Sequence, residues 1–543
     1  MNSAYQDTKY DERGQTERPQ PIFKRDLADY SRRRGTTGPY ADNLDIDVLI
    51  VGAGFGGVYL LHEMRKSGYK TVIYEAGTSL GGVWRFNTYP GARTDSEVPV
   101  YELSIPELWK DWTWSTNYPN YQELQQYFDY VDKKLDLSKN CAYETVVDGA
   151  QFDEDEGKWT VTTVDGRKAK CRFLIIATGF ASKRYIPDYK GIENFKGTVQ
   201  HVAFWPPGGS DVRGKRCAVI GTGASGVQVI QEWGPLASEV KVFQRSPNMA
   251  IPMGKRDLTA EEQNQLKPLY PQLFALRERN FGGYHFDFAE QNVFDVPTEE
   301  REAFYEKLWR RGGFSFWLGN YKNYLYDMKA NRDVYNFWVK KIRARVHDPR
   351  KRELLCPLEP PFPFGVKRPC LEQNYFEQFN RDSVDVVDIS NKSGNGIQEF
   401  TETGIKTTDG SHYEFDFIAI ATGFDISTGG MTSMGLKSVD GLNLQDEWKS
   451  AAGRWIRDAI NAINRQGLKF VDPTPEASQE WKQKINDISN TTLFPTCKTT
   501  HMGGDIPGKA FEQVSYPGGL VRYHQELRAA LPDWKGFRTV QVT

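Results

Sequence analysis

The chain has 543 residues, with 69 basic and 71 acidic side chains and a formal net charge of -2, a length that accommodates roughly three to four domain-sized units. The balanced charge excludes the basic surface of a nucleic-acid binder and leaves small molecules as the expected partners. Six scattered cysteines (Cys141, Cys171, Cys217, Cys356, Cys370, Cys497) have no metal or disulfide spacing, no apolar run spans a bilayer, and no secretory signal opens the chain, so a reducing, cytoplasmic setting is expected.

Residues 1–44 are polar and poor in aliphatics, a composition that does not fold alone and reads as an extension. Ile46 to Val51 then reads as a buried strand. It runs into Gly52-Ala-Gly54-Phe-Gly56-Gly57 and a helical pattern of Val58, Leu60, Leu61 and Met64, with a second strand from Thr71 to Glu75. In such a βαβ unit the glycines permit a tight turn and let a pyrophosphate approach the free N–H groups of a helix start. Glu75 stands where a carboxylate holds ribose hydroxyls, so this stretch predicts a dinucleotide site.

The segment from Gly81 to Asp95, which includes Val83 and Trp84, is rich in residues that make irregular backbone. Trp159 to Phe173 alternates around Asp165-Gly166, a hairpin signal. Two apolar strands, Phe173 to Gly179 and Phe417 to Gly423, end in the same Ala-Thr-Gly.

A second βαβ unit begins at Cys217, with Gly221-Thr222-Gly223-Ala-Ser225-Gly226 as its turn and Val240 to Phe243 as its second strand. Gln244 takes the place of the ribose-binding acid, followed by Arg245 and Ser246. An acid there would repel a 2'-phosphate whereas Arg245 can grip one, so NADPH is preferred over NADH. From about 257 to 346 the spacing turns helical, starting at the capping box Thr259 to Glu262. Its aromatics Trp309, Phe314, Phe316, Trp317 and Tyr321 are expected in a core rather than a substrate cage. Lys367-Arg368-Pro369 then precedes a strand from Val384 to Val387.

Between the two glycine turns lies Phe195-x-Gly197-x-x-x-His201-x-x-x-Trp205-Pro206. In that position it resembles the fingerprint of the Baeyer-Villiger monooxygenases, flavoenzymes that insert oxygen beside a ketone carbonyl. The resemblance implies an α/β fold with two Rossmann-like dinucleotide-binding domains, for FAD and NADP, and a helical insertion in the NADP domain. The expected parts are an FAD domain at 45–183, an NADP domain at 184–422 and the C-terminal part of the FAD domain at 423–543. The loop carrying Val83, Trp84 and Asp95, together with Tyr101, is similar to the family's flavin cover. Lys367 would contact the NADP phosphate, and Arg368 would project over the flavin, held by Asp95. His201 and Trp205 would serve domain motion. Arg368 would then stabilise a flavin peroxide and the oxyanion it forms on the ketone, with molecular oxygen as co-substrate.

The resemblance has departures. The family carries several dozen more residues between the counterparts of Trp448 and Trp455, so a segment is absent near 449–454, and Thr500 and Asp505 replace the usual tryptophan and asparagine. Two other readings remain open, an N- or S-oxidising flavin monooxygenase and a truncated nucleotide-binding relative with impaired catalysis. No feature of the sequence speaks to oligomeric state.

Overall fold

The computed structural model describes residues 43–203, 205–206, 209–426, 430, 434–437, 453–503 and 511–542. Residues 1–42 of the polar extension, residues 449–452 at the expected missing segment, and Asp505 lie outside the described residues.

Strands β1 (Leu44–Val51), β2 (Thr71–Tyr74), β3 (Cys141–Ala142), β4 (Val147–Asp153), β5 (Lys158–Thr163) and β6 (Lys168–Ile176) build the first sheet. Its order is β4-β5-β6-β1-β2-β3, and Leu436–Lys437 joins beside β4. The β6-β1-β2-β3 half is parallel, whereas β4, β5 and β6 form an antiparallel meander. The expected turn at Asp165-Gly166 joins β5 to β6, with Gly166 at φ +87°. The parallel half is covered by helix α1 (Phe55–Lys66), whose Val58, Leu60, Leu61 and Met64 are buried. Those four lie at the helical spacing that the sequence displays, and each fully buried aliphatic chain contributes about 1.5–3 kcal/mol.

The second sheet is parallel throughout, comprising β7 (Thr198–His201), β8 (Arg216–Ile220), β9 (Glu239–Gln244), β10 (Val384–Asp388) and β11 (Phe417–Ile420) in the order β10-β9-β8-β11-β7. Helix α2 (Ala224–Trp233) follows β8. Between β9 and β10 the chain is mainly helical, with Thr298–Arg311 and Met328–Arg343 the longest members. The capping box at Thr259 and Glu262 has both arms formed. This helical part extends to Leu355, beyond the expected limit near 346.

The repeated Ala-Thr-Gly has a structural reason. Each such strand, β6 or β11, lies directly beside the strand that feeds a glycine turn, β1 or β8. Any Cβ on Gly52 would sit 2.5 Å from the Ala177 carbonyl oxygen, and on Gly221 the same 2.5 Å from that of Ala421. Both glycines also hold positive φ, at +105° and +107°. Only glycine meets both conditions, which is why the two turns are built alike.

Candidate active site between two nucleotide turns

Gly54 is the N-cap of helix α1 and Gly223 that of helix α2, and neither start has a side-chain cap or an acid in its first turn. Their N-terminal N–H groups and dipoles are therefore available to an anion. Gly57 and Gly226 sit inside the turns, where a Cβ would fall 1.9 Å and 2.2 Å from the Gly52 and Gly221 carbonyl oxygens. Gly223, by contrast, faces open space. The turns thus combine glycines required for folding with a glycine that leaves room for a ligand, and they fit a pyrophosphate.

Glu75 follows β2 and is 4% exposed. Its carboxylate accepts from Ala53 N–H and Gly77 N–H, each at 2.6 Å. Burial raises its pKa, and the two backbone bonds only partly offset this. Gly82, at φ +53°, brings the next loop against the first turn, since a Cβ there would lie 2.7 Å from Gly54 Cα. Val83 is exposed at the start of the short helix Val83–Phe86. Trp84 Nε1 donates to Tyr101 Oη at 2.9 Å, and burial pushes the Tyr101 phenol up to about 12.

The loop then reaches the second domain. Tyr89 Oη donates to Gln228 Oε1 at 2.7 Å, and Gln228 Nε2 donates to the Arg93 carbonyl at 3.3 Å. A Cβ on Gly91 would meet the Gln228 carbonyl oxygen at 2.8 Å. This contact places Asp95 beside Arg368, which donates to it through Nε at 3.0 Å and Nη2 at 2.7 Å.

The Arg368 guanidinium also lies over the Phe314 ring at 4.5 Å and near Trp317 at 5.9 Å. Its side chain keeps 45% of its accessible surface although protein surrounds it on most sides, as a group lining a cleft does. Burial opposes its charge, yet Asp95 and Tyr284 raise its pKa above the ordinary arginine value. Tyr284 shares a 2.9 Å hydrogen bond with Ser96 and packs edge-on to Phe314. Phe314 and Trp317 are buried as the composition suggests. They lie in the core as expected, and one face of each also meets the Arg368 guanidinium, a cation–π contact that the sequence spacing does not reveal.

Around the second turn, Thr222 Oγ1 donates to the Ser246 carbonyl at 2.8 Å. Arg245 is exposed and makes no hydrogen bond or ion pair among the described residues. Gln244 faces the other way, its Nε2 donating to the Leu354 carbonyl at 2.8 Å, so it anchors the helical part. Lys367 lies over the Phe362 ring at 4.2 Å.

His201 and Trp205 are both fully buried. His201 closes β7, with Nδ1 accepting from Ala203 N–H at 3.0 Å, and burial lowers its pKa to about 3. Trp205 stacks on Phe417 at 5.6 Å and contacts Trp233 at 5.9 Å, while its carbonyl accepts from Thr88 Oγ1 at 3.0 Å. The fingerprint is therefore built into the second domain's core and touches the first domain through Thr88. Sequence reasoning missed Ser96, Tyr284, Asn248 and Cys370, single residues with no periodic or motif signal.

Two glycine turns with a charged pair between them define a two-nucleotide oxidoreductase. Residues 46–268 match the pyridine nucleotide-disulphide oxidoreductase family model. The FAD-binding monooxygenase acrE of Aspergillus aculeatus is 51% identical over 554 residues, covering 95% of this chain and 93% of acrE. That alignment is longer than the chain, so acrE has residues without a counterpart here. Cyclopentanone 1,2-monooxygenase of Comamonas sp. is 40% identical over 532 residues, covering 91% and 96%. The solved cyclohexanone monooxygenase from Rhodococcus sp. Phi1 bound to NADP+ matches with a TM-score of 0.87 at 30% identity, covering 92% of this chain and all of that one. The chain belongs to the Baeyer-Villiger family of FAD-binding monooxygenases.

Proposed function

We propose that the chain is an NADPH- and FAD-dependent Baeyer-Villiger monooxygenase that converts ketones to esters or lactones with molecular oxygen. The observation that carries this reading is the Asp95–Arg368 pair, whose aspartate follows a loop that packs against the first glycine turn at Gly54 and against the helix after the second at Gln228. FAD, reduced by NADPH, supplies the oxygen-activating chemistry when bound.

Gly52, Gly54, Gly57 and Glu75 would hold FAD, with Val83, Trp84, Asp95 and Tyr101 covering it. Gly221, Thr222, Gly223, Ser225 and Gly226 would take the NADPH pyrophosphate, with Arg245, Ser246 and Lys367 toward its phosphates. Arg368 holds a permanent positive charge beside the reacting carbonyl, where negative charge develops during attack. Asp95 keeps the guanidinium oriented through two bonds to one oxygen, and the Phe314 and Trp317 rings back it on one side.

No helix among the described residues is long and apolar enough to cross a membrane, and none of the six cysteines is in a disulfide. Both observations fit a cytoplasmic enzyme. The test is NADPH oxidation by the purified, FAD-loaded protein with cyclopentanone, cyclohexanone, acetone and aryl ketones, with ester or lactone detected. A yellow protein that forms no ester from any ketone while oxygenating amines or sulfides would replace the reading.

A further inference from the structure

We propose that Asn248 is a positioning residue that ties the second glycine turn to Arg368, so that a nucleotide seated in the turn and the cation in the cleft are held as one unit. The inference rests on the function proposed above and deepens it.

The side-chain amide of Asn248 is used on both sides. Nδ2 donates to the Thr222 carbonyl at 2.8 Å, inside the glycine turn, and to Cys370 Sγ at 2.9 Å. Oδ1 accepts from Cys370 N–H at 3.4 Å. Swapping the amide would set an oxygen against the Thr222 carbonyl oxygen and a nitrogen against an N–H, so this network fixes its orientation. Cys370 lies two residues after Arg368, with Pro369 between them. Proline fixes φ, so a constraint on Cys370 reaches Arg368 with little slack.

The segment that carries Asn248 is itself stiff. Thr222 Oγ1 bonds the Ser246 carbonyl at one end, Pro247 follows, and Ile251 pairs in parallel with Leu371 at the other. Met249, Ala250 and Ile251 are buried. The residues 246–252 thus form a strut from the turn to the strand beyond Arg368, and Asn248 is the side chain within it that grips both ends. Cys370 is buried, and burial pushes its thiol up to about 12, so it acts as a neutral acceptor rather than a nucleophile.

The test compares Asn248→Ala, Cys370→Ala and Cys370→Ser with the parent in the FAD-loaded enzyme. Flavin content and Tm check folding, and KM for NADPH and the share of NADPH recovered as ester rather than hydrogen peroxide report the coupling. Losing one or two neutral hydrogen bonds predicts that Asn248→Ala raises KM for NADPH and lowers the ester share, each by about two- to tenfold. Cys370→Ala is expected to lower the ester share without moving KM as far, and Cys370→Ser, which keeps an acceptor, to restore it. Parent-like KM and ester share in Asn248→Ala would overturn the inference. So would a lowered Tm or flavin content with the ester share per bound flavin unchanged, which is the mark of a structural crosslink only. Failure of the parent itself to oxygenate any ketone would remove the underlying function instead.

Discussion

One oxygen of Asp95, Oδ2, accepts from both Nε and Nη2 of Arg368, across 273 positions of sequence. Asp95 comes from the first nucleotide domain and Arg368 from the second, so the pair forms only when the domains are docked. Its bonds are charge-assisted but partly solvated, which places the energy of the pair at the modest end for ion pairs. Its value is orientation. Arg368→Ala is expected to consume NADPH still while losing ester formation by about 100-fold or more, with hydrogen peroxide taking the place of the ester. Asp95→Ala should follow in the same direction by a smaller factor. Product analysis alongside NADPH consumption checks both, and parent-rate ester formation by Arg368→Ala would remove the residue from the mechanism.

The glycines of the second turn divide into two kinds. A Cβ on Gly226 would collide with the Gly221 carbonyl at 2.2 Å, whereas one on Gly223 meets no atom within 4 Å. Gly226→Ala should therefore destabilise the fold, by about 1–3 kcal/mol for a forced backbone shift. Gly223→Ala should leave Tm within a degree or two and raise KM for NADPH, because its methyl group occupies ligand space. Thermal unfolding and steady-state kinetics on the two variants test the division; equal Tm losses would contradict it.

Arg245 stands exposed after β9 with no protein partner among the described residues, so its removal disturbs no internal contact. A lost bond to a charged group costs about 1.5–3 kcal/mol, and Arg245→Ala should weaken NADPH by roughly ten- to a hundredfold while leaving NADH nearly unchanged. Equal loss for both coenzymes would show that Arg245 does not read the 2'-phosphate.

The parts of this molecule legible in its sequence are those with local causes. Both glycine turns, the strands feeding them, the Asp165-Gly166 hairpin and the Thr259 capping box follow from steric and hydrogen-bonding rules acting over a few residues. Gln244 shows the limit of such reading. Its position at the end of β9 is where a ribose-binding acid would stand, but its amide is drawn to the Leu354 carbonyl, 110 residues away. Likewise Phe314 and Trp317 carry the spacing of core residues and are buried, yet only the docking of the Arg368 loop makes one face of each a wall of the cleft. Family resemblance alone pairs Asp95 with Arg368 at the level of sequence, since no local rule joins residues so far apart.

Glu102, next to Tyr101, gives a pH-dependent test of the packing around the first domain. Oε2 accepts from Trp114 Nε1 at 3.1 Å, and Oε1 has no hydrogen-bond partner. Burial raises its pKa to about 7 from an ordinary 4.5, with Trp114, Lys267 and Arg277 pulling it down only in part. Lys267 spends its ammonium on the Lys110 carbonyl and Arg277 on that of Val100, so neither neutralises the carboxyl directly. Tyr127, Tyr130 and Tyr270, the tyrosines affected by Glu102, remain neutral throughout this range, their own pKa values raised by burial. A carboxyl with a raised folded-state pKa contributes stability that is fully present below the unfolded value and lost as pH rises through the folded one. For this shift the loss is about 3 kcal/mol between roughly pH 4.5 and the region above 7. Glu102→Gln keeps the acceptor for Trp114 and cannot ionise, while its new N–H groups lack partners at a cost of about 1–3 kcal/mol. The variant should therefore melt below the parent at pH 5 and draw level with it or rise above it by pH 8. Tm measured for both proteins at the two pH values decides the matter, and a difference that stays constant would mean that Glu102 titrates as an ordinary, solvated carboxylate.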